Sequence, residues 1–216
     1  MFPPGLYALA DDTARPELPV AAQVEALLRG GVRVLQLRLK RARGAEATSL
    51  ARWVAAEARA AGAVFLVNDR VDWALLAGAD GVHLGEEDLA AGEARQLLGQ
   101  GALVGVTVRN AVEAQAARAA GADYVGLGPV FLPRSKRVAA PPIGLEGLRR
   151  VAAQSPLPVV AIGGIGLPSM RAVARAGAYG AAVVSDVLSA PDIADRVRRL
   201  EEEFLRGVEE RGIPEG

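Results

Sequence analysis

Two apolar segments of strand length end in carboxylates. Residues 64–67 are followed by Asn68 and Asp69, and residues 81–84 are followed within four positions by Asp88. If both segments are parallel strands of one sheet, their carboxyl ends lie at the same edge, where the active sites of α/β barrels form. The spacing therefore predicts that Asp69 and Asp88 lie together at a functional edge.

Three polar side chains alternate with leucines in the segment from Leu35 to Lys40. A strand places the leucines on one face and Gln36, Arg38 and Lys40 on the other. Buried cations require negative partners. A bound polyanion is the favoured partner, because arginine offers phosphate a planar set of donors and lysine a point charge. The alternative is an internal set of ion pairs with carboxylates on neighbouring strands.

The two carboxylates beside these cations predict a divalent metal site. Mg²⁺ binds carboxylate and phosphate oxygens and keeps several water ligands, so an ion at Asp69 and Asp88 would join the protein to a polyphosphate. The alternative for the acidic cluster of Glu86, Glu87 and Asp88 is stabilisation of a helix N-terminus. His83, the only histidine, is expected to be a hydrogen-bonded interior residue rather than a catalyst.

Later segments predict further contacts with phosphate. Only two of the 25 basic residues are lysines, Lys40 and Lys136, and Lys136 lies in a long basic segment after the sixth predicted strand. A loop of this kind can close over a phosphate and exclude water. Gly163–Gly164 and Val184–Ser185 follow the last two strands, where barrels commonly hold a phosphate with backbone N–H groups and a hydroxyl. A tight turn is the alternative explanation for the two glycines.

These residues together predict a site for two anionic groups. A polyphosphate with its metal would lie near strands two to six, and a monophosphate near strands seven and eight. The sequence shows no nucleophile placed with its base. This pattern favours a reaction driven by ionisation of a leaving group.

Eight repeats of one local pattern would position these residues. A glycine or alanine turn follows each helix-like segment, and an apolar run follows the turn. Such runs are typical of strands buried on both faces in parallel sheets. The predicted strands cover about 5–10, 32–40, 64–68, 81–85, 103–108, 124–130, 158–162 and 180–185, and the predicted helices cover about 17–29, 46–61, 70–77, 88–98, 110–120, 144–153, 168–176 and 191–206.

The length of the repeat selects the architecture. The 216 residues divided by eight units give 27 residues each, enough for a short strand, a helix and two short connections. We therefore predict an α/β fold, a single (β/α)₈ TIM barrel with short loops over residues 1–208, and a polar C-terminal tail over 209–216. An open doubly wound sheet would usually carry a Gly-x-Gly-x-x-Gly turn after its first strand, where Ala8–Asp12 stands instead.

Composition excludes several classes of protein. The 25 basic residues balance the 25 acidic ones, so no charge excess indicates nucleic acid or an anionic membrane as a partner. The chain has no cysteine, which excludes disulfides and thiolate catalysis. No signal peptide and no long apolar run is evident. We expect a cytoplasmic, soluble protein that acts on small phosphorylated molecules, and the sequence gives no indication of its oligomeric state.

Seven motifs resemble, in order and spacing, those of the thiamine-phosphate synthase family, and the match extends over essentially the whole chain. They are Gln36–Lys40 (QLRLK), Asn68–Arg70 (NDR), Gly81–Asp88 (GVHLGEED), Gly121–Phe131 (GADYVGLGPVF), Ser135–Lys136 (SK), Ala161–Ile165 (AIGGI) and Ala182–Ser185 (AVVS). The resemblance implies a (β/α)₈ barrel that uses Mg²⁺. It also implies a transferase that joins a hydroxymethylpyrimidine diphosphate to a thiazole phosphate and releases pyrophosphate.

The resemblance also implies roles for individual residues. Arg38, Lys40 and Lys136 would stabilise the departing pyrophosphate, and Asp69 and Asp88 would bind Mg²⁺. The pyrimidine diphosphate would be bound by Gln36, Arg38, Lys40, Asn68, Lys136 and Thr107, the last replacing a serine of the family, and the thiazole phosphate by Ser135, Gly164, Val184 and Ser185.

Two positions depart from the family pattern. Pro133 replaces a threonine that would contact the thiazole substrate, and Arg109 replaces a histidine after the fifth strand. The sister branch of thiazole tautomerases depends on that histidine and lacks the metal motif of Asn68 and Asp69, so the synthase is favoured. A tautomerase-like enzyme and a non-catalytic protein that binds thiamine phosphates remain the alternatives.

Overall fold

The computed structural model describes residues 2–132 and 141–211. Strands and helices alternate along the chain. The strands are β1 (Gly5–Asp11), β2 (Val34–Arg38), β3 (Val64–Asn68), β4 (Gly81–Leu84), β5 (Leu103–Val108), β6 (Tyr124–Leu127), β7 (Val159–Ile162) and β8 (Gly180–Val183). The helices are α1 (Val20–Arg29), α2 (Gly44–Ala60), α3 (Val71–Ala77), α4 (Ala91–Leu98), α5 (Ala111–Ala119), α6 (Gly144–Gln154), α7 (Leu167–Arg175), α8 (Ser185–Leu188) and α9 (Ile193–Arg211).

The eight strands close into one parallel barrel. Each strand pairs with the next one in the sequence, and β8 pairs with β1. The register places Asp11 opposite Arg38 at the ends of β1 and β2, and Asn68 opposite His83 at the ends of β3 and β4. The predicted (β/α)₈ barrel is therefore confirmed, and the carboxyl ends of the strands form a single rim.

Strand alternation divides the apolar residues between two layers. Leu35, Leu37 and Leu39 are buried in the larger layer, between the barrel and the surrounding helices. Gln36, which alternates with them, is buried at 3% exposure and faces the inside of the barrel. The predicted orientation of this strand is therefore correct, and it brings polar side chains of β2 to the interior.

Aromatic side chains fill the lower part of the barrel. Phe2, just before β1, stacks on Tyr124 with ring centroids 4.5 Å apart and an interplanar angle of 10°. It also packs against Tyr7 and Tyr179, and the hydroxyl of Tyr179 donates a hydrogen bond to the carbonyl of Phe2. These four aromatic residues therefore close the amino-terminal end of the barrel.

Several element boundaries differ from the predicted ones; β2, for example, covers Val34–Arg38 rather than 32–40. β6 ends at Leu127 and β8 at Val183, because the chain leaves the register of the barrel there, and the residues after β8 form the short helix α8, which was not predicted. α9 continues to Arg211, beyond the predicted helix end at about residue 206, because Glu210 in its last turns pairs with Arg171 of α7 at 3.3 Å. In the described ranges, no helix has the length and apolarity needed to span a membrane.

A close contact inside the barrel gives a test of this packing. A Cβ atom added at Gly105 of β5 would lie 2.0 Å from the ring of Tyr124. We predict that Gly105→Ala lowers the free energy of unfolding by about 1–3 kcal/mol, since the ring has no room to move. Gly101→Ala is the control, because no atom lies within 4 Å of a Cβ there. Urea unfolding curves that are equal for the two variants would contradict the packing described here.

Candidate active site

A cavity opens at the carboxyl ends of the strands. Its volume is about 140 Å³, below the roughly 300–1,000 Å³ of pockets that enclose a whole small ligand, so it can hold only part of a phosphorylated substrate. It brings together four of the side chains predicted to bind substrate, Gln36, Arg38, Asn68 and Thr107. The other lining residues are Tyr7, Leu9, His83, Tyr124, Gly126, Val160, Ile162 and Ala182.

Arg38 is held by a carboxylate of the neighbouring strand. Its Nη1 atom lies 2.6 Å from Oδ2 of Asp11, and both side chains are largely buried. Asp11 also accepts hydrogen bonds from the backbone N–H groups of Thr13 and Ala14. Burial alone would raise the pKa of Asp11, but the hydrogen bonds from Thr13 and the charge of Arg38 outweigh it and lower that pKa. Arg38 is thus fixed in place while its side chain lines the cavity.

Lys40, Asp69 and Asp88 form one cluster at the rim. The ammonium group of Lys40 makes an ion pair with Oδ2 of Asp69, and Asp88 lies close enough to both for Asp69 to raise its pKa and for Lys40 to oppose that rise. The backbone near Lys40 is held by Asp12, which accepts hydrogen bonds from the N–H groups of residues 40, 41 and 42 at 2.7–3.0 Å. The structure therefore places the carboxylates of Asp69 and Asp88 close together at the rim, as predicted.

The internal ion pairs considered as an alternative for the β2 cations are also present. Arg38 pairs with Asp11, and Lys40 pairs with Asp69. The second pair is 44% exposed at the lysine and 20% at the aspartate. An exposed ion pair contributes only about 0–1 kcal/mol to stability. Lys40 could therefore exchange the carboxylate of Asp69 for a phosphate of a ligand with little loss of free energy. Internal ion pairs and binding of a polyanion are thus compatible explanations for Arg38 and Lys40.

Asp69 has a constrained backbone and a charged neighbour. Its φ angle is 64°, the only positive value at a non-glycine residue among the described ones. Such conformations cost free energy and concentrate at functional sites. Burial raises the pKa of Asp88, and contact with Asp69 raises it further, while the charge of Lys40 acts in the opposite direction. The two carboxylates therefore repel each other, and a cation bound between them would relieve that repulsion.

His83 is hydrogen-bonded through both ring nitrogens, as the sequence predicted. Nδ1 lies 3.1 Å from the hydroxyl oxygen of Tyr124, and Nε2 lies 3.1 Å from Oγ1 of Thr107. Burial lowers the pKa of His83 to about 4, although the charge of Asp69 partly opposes this shift. The ring is therefore neutral near pH 7.

The acidic cluster after β4 does not cap the next helix. The N-cap residue of α4 is Ala90, beyond Asp88. Glu86 instead makes an ion pair with Arg109 after β5, and Asp88 accepts a hydrogen bond from the N–H of Gly85 at 2.7 Å. The capping alternative is therefore wrong, because the chain turns back at Gly85 before the helix begins. Arg109, which replaces the histidine of the sister branch, is exposed and forms its ion pair with Glu86.

The residues predicted for the second anion follow β7 and β8. Ile162 and Ala182 are register partners in these strands, so Gly164 and Val184, each two residues later, lie on adjacent loops. Gly164 has a φ of 64° and is exposed, and Ser185 begins α8. The remaining predicted residues, Pro133, Ser135 and Lys136, lie outside the described residues.

Sequence reasoning missed five polar residues of this region. Asp11 and Asp12 hold the end of β2, and Tyr7 and Tyr124 line the cavity. The fifth, Thr13, donates a hydrogen bond to Asp11. A signal was available for Asp11 and Asp12, which follow an apolar strand in the same way as Asp69 does. The tyrosines gave no such signal, because their inward orientation depends on the closed barrel.

Comparisons with known proteins identify the family of this chain. The sequence matches the family described as thiamine monophosphate synthase over residues 6–187. It is 57% identical to a thiamine-phosphate synthase of Myxococcus xanthus, with 95% of this chain and 94% of that protein covered. For a thiamine-phosphate synthase of Anaeromyxobacter dehalogenans the identity is 51%, with 96% and 91% covered.

A solved structure gives the same result. Thiamine phosphate pyrophosphorylase from Pyrococcus furiosus superposes with a TM-score of 0.85 at 37% sequence identity, with 94% of this chain and 96% of that chain covered. The sequence and structure matches both extend over nearly the whole barrel, so the resemblance predicted from the motifs is confirmed. The chain belongs to the thiamine monophosphate synthase family.

Proposed function

We propose that this protein is a thiamine-phosphate synthase, a transferase that condenses 4-amino-2-methyl-5-hydroxymethylpyrimidine diphosphate with a thiazole phosphate to give thiamine phosphate and pyrophosphate. The observation that carries the proposal is the cluster of Lys40, Asp69 and Asp88 beside a cavity lined by Arg38. Relatives named thiamine-phosphate synthase, 57% and 51% identical, support it. A cytoplasmic location stays a prediction.

The cations act on the leaving group. Arg38 lines the cavity and remains tied to Asp11 through Nη1, so its other N–H groups can donate to the diphosphate. Lys40 lies at the rim and can turn from Asp69 to a phosphate oxygen. Negative charge on the pyrophosphate grows as the C–O bond breaks, and fixed cations stabilise that charge more in the transition state than in the ground state. Lys136 is proposed to add a third positive charge.

The carboxylates of Asp69 and Asp88 fit Mg²⁺. Both are oxygen donors that lie close together, and the pKa of Asp88 is raised first by burial and then by Asp69, effects that a bound cation would offset. Mg²⁺ commonly takes one or two carboxylates and completes its shell with water and substrate phosphate. When bound there, Mg²⁺ would supply positive charge against the pyrophosphate. Asp69 and Asp88 would hold it, and Asp12 would keep Lys40 next to it.

The second substrate is proposed to lie across the mouth of the barrel. Gly164, Val184 and Ser185, with Ser135, would bind the phosphate of the thiazole and so hold the ring nitrogen towards the cavity. Loss of pyrophosphate leaves a methylene cation that is stabilised by the amino group of the pyrimidine, and the thiazole nitrogen then captures it. The protein contributes positioning and electrostatics to this dissociative displacement and forms no covalent bond with the substrate.

A pyrophosphate-release assay tests the proposal. We expect release, together with thiamine phosphate, only when both substrates and Mg²⁺ are present. Incubation with the thiazole phosphate alone separates the alternatives, because a tautomerase would isomerise it without the pyrimidine. Binding of thiamine phosphate without any turnover would identify a non-catalytic protein instead.

Charge removal at the rim should strongly reduce metal-dependent turnover. We predict that Asp69→Asn and Asp88→Asn each lower kcat by about 10²-fold or more, since the substitutions weaken the stabilisation of the leaving group. Asparagine adopts positive φ angles as readily as aspartate, so Asp69→Asn tests charge and not backbone strain. The measurement is the rate of pyrophosphate release as a function of Mg²⁺ concentration.

Asp72→Asn is the matched control for these variants. Asp72 lies three residues from Asp69 but is exposed and pairs with Arg70 at the surface. Its loss should leave kcat and the Mg²⁺ dependence within about twofold. If Asp69→Asn and Asp88→Asn behaved like Asp72→Asn, the metal assignment would be wrong.

The proposed thiazole phosphate contact gives a separate prediction. Ser185→Ala should raise the KM for the thiazole phosphate by about tenfold or more, because a hydrogen bond to a charged group is lost, and should leave the KM for the pyrimidine diphosphate unchanged. Ser189→Ala, at the other end of α8, is the control. Steady-state kinetics with each substrate varied in turn would measure both. Equal changes in the two KM values would refute the assignment.

A further inference from the structure

Five side chains form a continuous hydrogen-bonded chain through the barrel interior. Nε2 of Gln36 donates to the hydroxyl of Tyr7 at 2.6 Å, and the hydroxyls of Tyr7 and Tyr124 are 3.0 Å apart. The chain continues from Tyr124 to Nδ1 of His83 and from Nε2 of His83 to Thr107, each at 3.1 Å. Both ends of this chain, Gln36 and Thr107, line the cavity that is proposed to bind the pyrimidine substrate.

The donors in this chain can point in only one direction at a time. A tyrosine hydroxyl carries one proton. With Tyr7 accepting from Gln36, every hydroxyl of the chain finds an acceptor only if the proton of Tyr7 goes to Tyr124 and the proton of Tyr124 goes to Nδ1 of His83. A neutral imidazole that accepts at Nδ1 carries its proton at Nε2, and this proton goes to Thr107. Both partners of the ring are neutral hydroxyl groups, so an imidazole with a single proton satisfies both contacts.

This direction determines what the cavity offers a ligand. The amide nitrogen of Gln36 is used inside the chain, so its oxygen remains as an acceptor, and no hydrogen bond to the described residues occupies that oxygen. The hydroxyl of Thr107 accepts from His83, so its proton is free to donate, and Thr107 is exposed in the cavity wall. In the reverse direction, the amide of Gln36 would be flipped and both groups would change role.

The surrounding packing fixes the chain in position. Tyr124 is stacked on Phe2, and a Cβ atom at Gly105 would lie 2.0 Å from its ring. A Cβ atom at Gly126 would lie 2.8 Å from the ring of His83. Gly105 and Gly126 therefore leave the space that the rings of Tyr124 and His83 occupy. The tight packing around these rings holds them next to their hydrogen-bond partners.

We propose that Tyr7, Tyr124 and His83 are positioning residues that orient Gln36 as a hydrogen-bond acceptor and Thr107 as a donor towards the pyrimidine diphosphate. This inference rests on the proposed function for the identity of the ligand only. An exocyclic amine donates to the oxygen of Gln36, and a diphosphate oxygen or ring nitrogen accepts from Thr107. A pyrimidine with a carbonyl in place of the amine would place its carbonyl oxygen against the amide oxygen of Gln36. Both atoms are acceptors, so this pyrimidine is rejected.

The tautomer of His83 gives a test that needs no substrate. His83 is the only histidine, so a long-range ¹H–¹⁵N spectrum at neutral pH contains one set of imidazole signals. We expect a neutral ring protonated at Nε2. Tyr124→Phe removes the donor to Nδ1 and should shift the signals towards a mixture of tautomers. Tyr179→Phe is the control, because Tyr179 belongs to the same aromatic cluster but its hydroxyl bonds to the carbonyl of Phe2.

Kinetics test the effect on the ligand. Tyr7→Phe and Tyr124→Phe should raise the KM for the pyrimidine diphosphate about tenfold and leave the KM for the thiazole phosphate within twofold, whereas Tyr179→Phe should change neither. Equal changes in both KM values would indicate a merely structural role and overturn the proposal. A wild-type His83 protonated at Nδ1, or a spectrum unaffected by Tyr124→Phe, would overturn it as well. Failure of the proposed function would give a different result. Neither the wild-type protein nor any variant would form product, while the His83 spectrum would still show the expected tautomer.

Discussion

Pairing of opposite charges across neighbouring strand ends is the constraint on which this site depends. Closure of the barrel brings Asp11 next to Arg38 and Lys40 next to Asp69, residues that are 27 and 29 positions apart in the sequence. The buried pair keeps its arginine fixed, and the more exposed pair leaves its lysine able to exchange partners. One rim therefore combines a rigid cation with an adaptable one, an arrangement that fits the proposed binding and release of a polyanion.

The repeating pattern of the sequence was sufficient to predict the barrel, because parallel strands buried on both faces leave a distinct apolar signature. Alternation within residues 35–40 also predicted which side chains of β2 enter the barrel. The ends of β6 and β8 were less accurate, since apolar residues continue past the point where the strands leave their register. The helix α8 escaped prediction because its four residues, SDVL, are too few to show helical apolar spacing.

The site was predictable where its residues follow strands directly. Asp69 and Asp88 each stand just after an apolar run, and both reached the expected rim. The hydrogen-bonded chain through Tyr7, Tyr124 and His83 was not predictable in this way. Its members belong to three strands, and only the register of the closed barrel brings their polar atoms within 3.1 Å of one another. Local patterns contain no information about contacts of this kind.

The aromatic floor of the barrel has a consequence for biosynthesis. Phe2 is synthesised more than a hundred residues before its partners Tyr124 and Tyr179. Contacts between distant segments form late, after the chain that joins them has been ordered. Phe2 therefore stays without these aromatic partners during synthesis until the segments that carry Tyr124 and Tyr179 have been made.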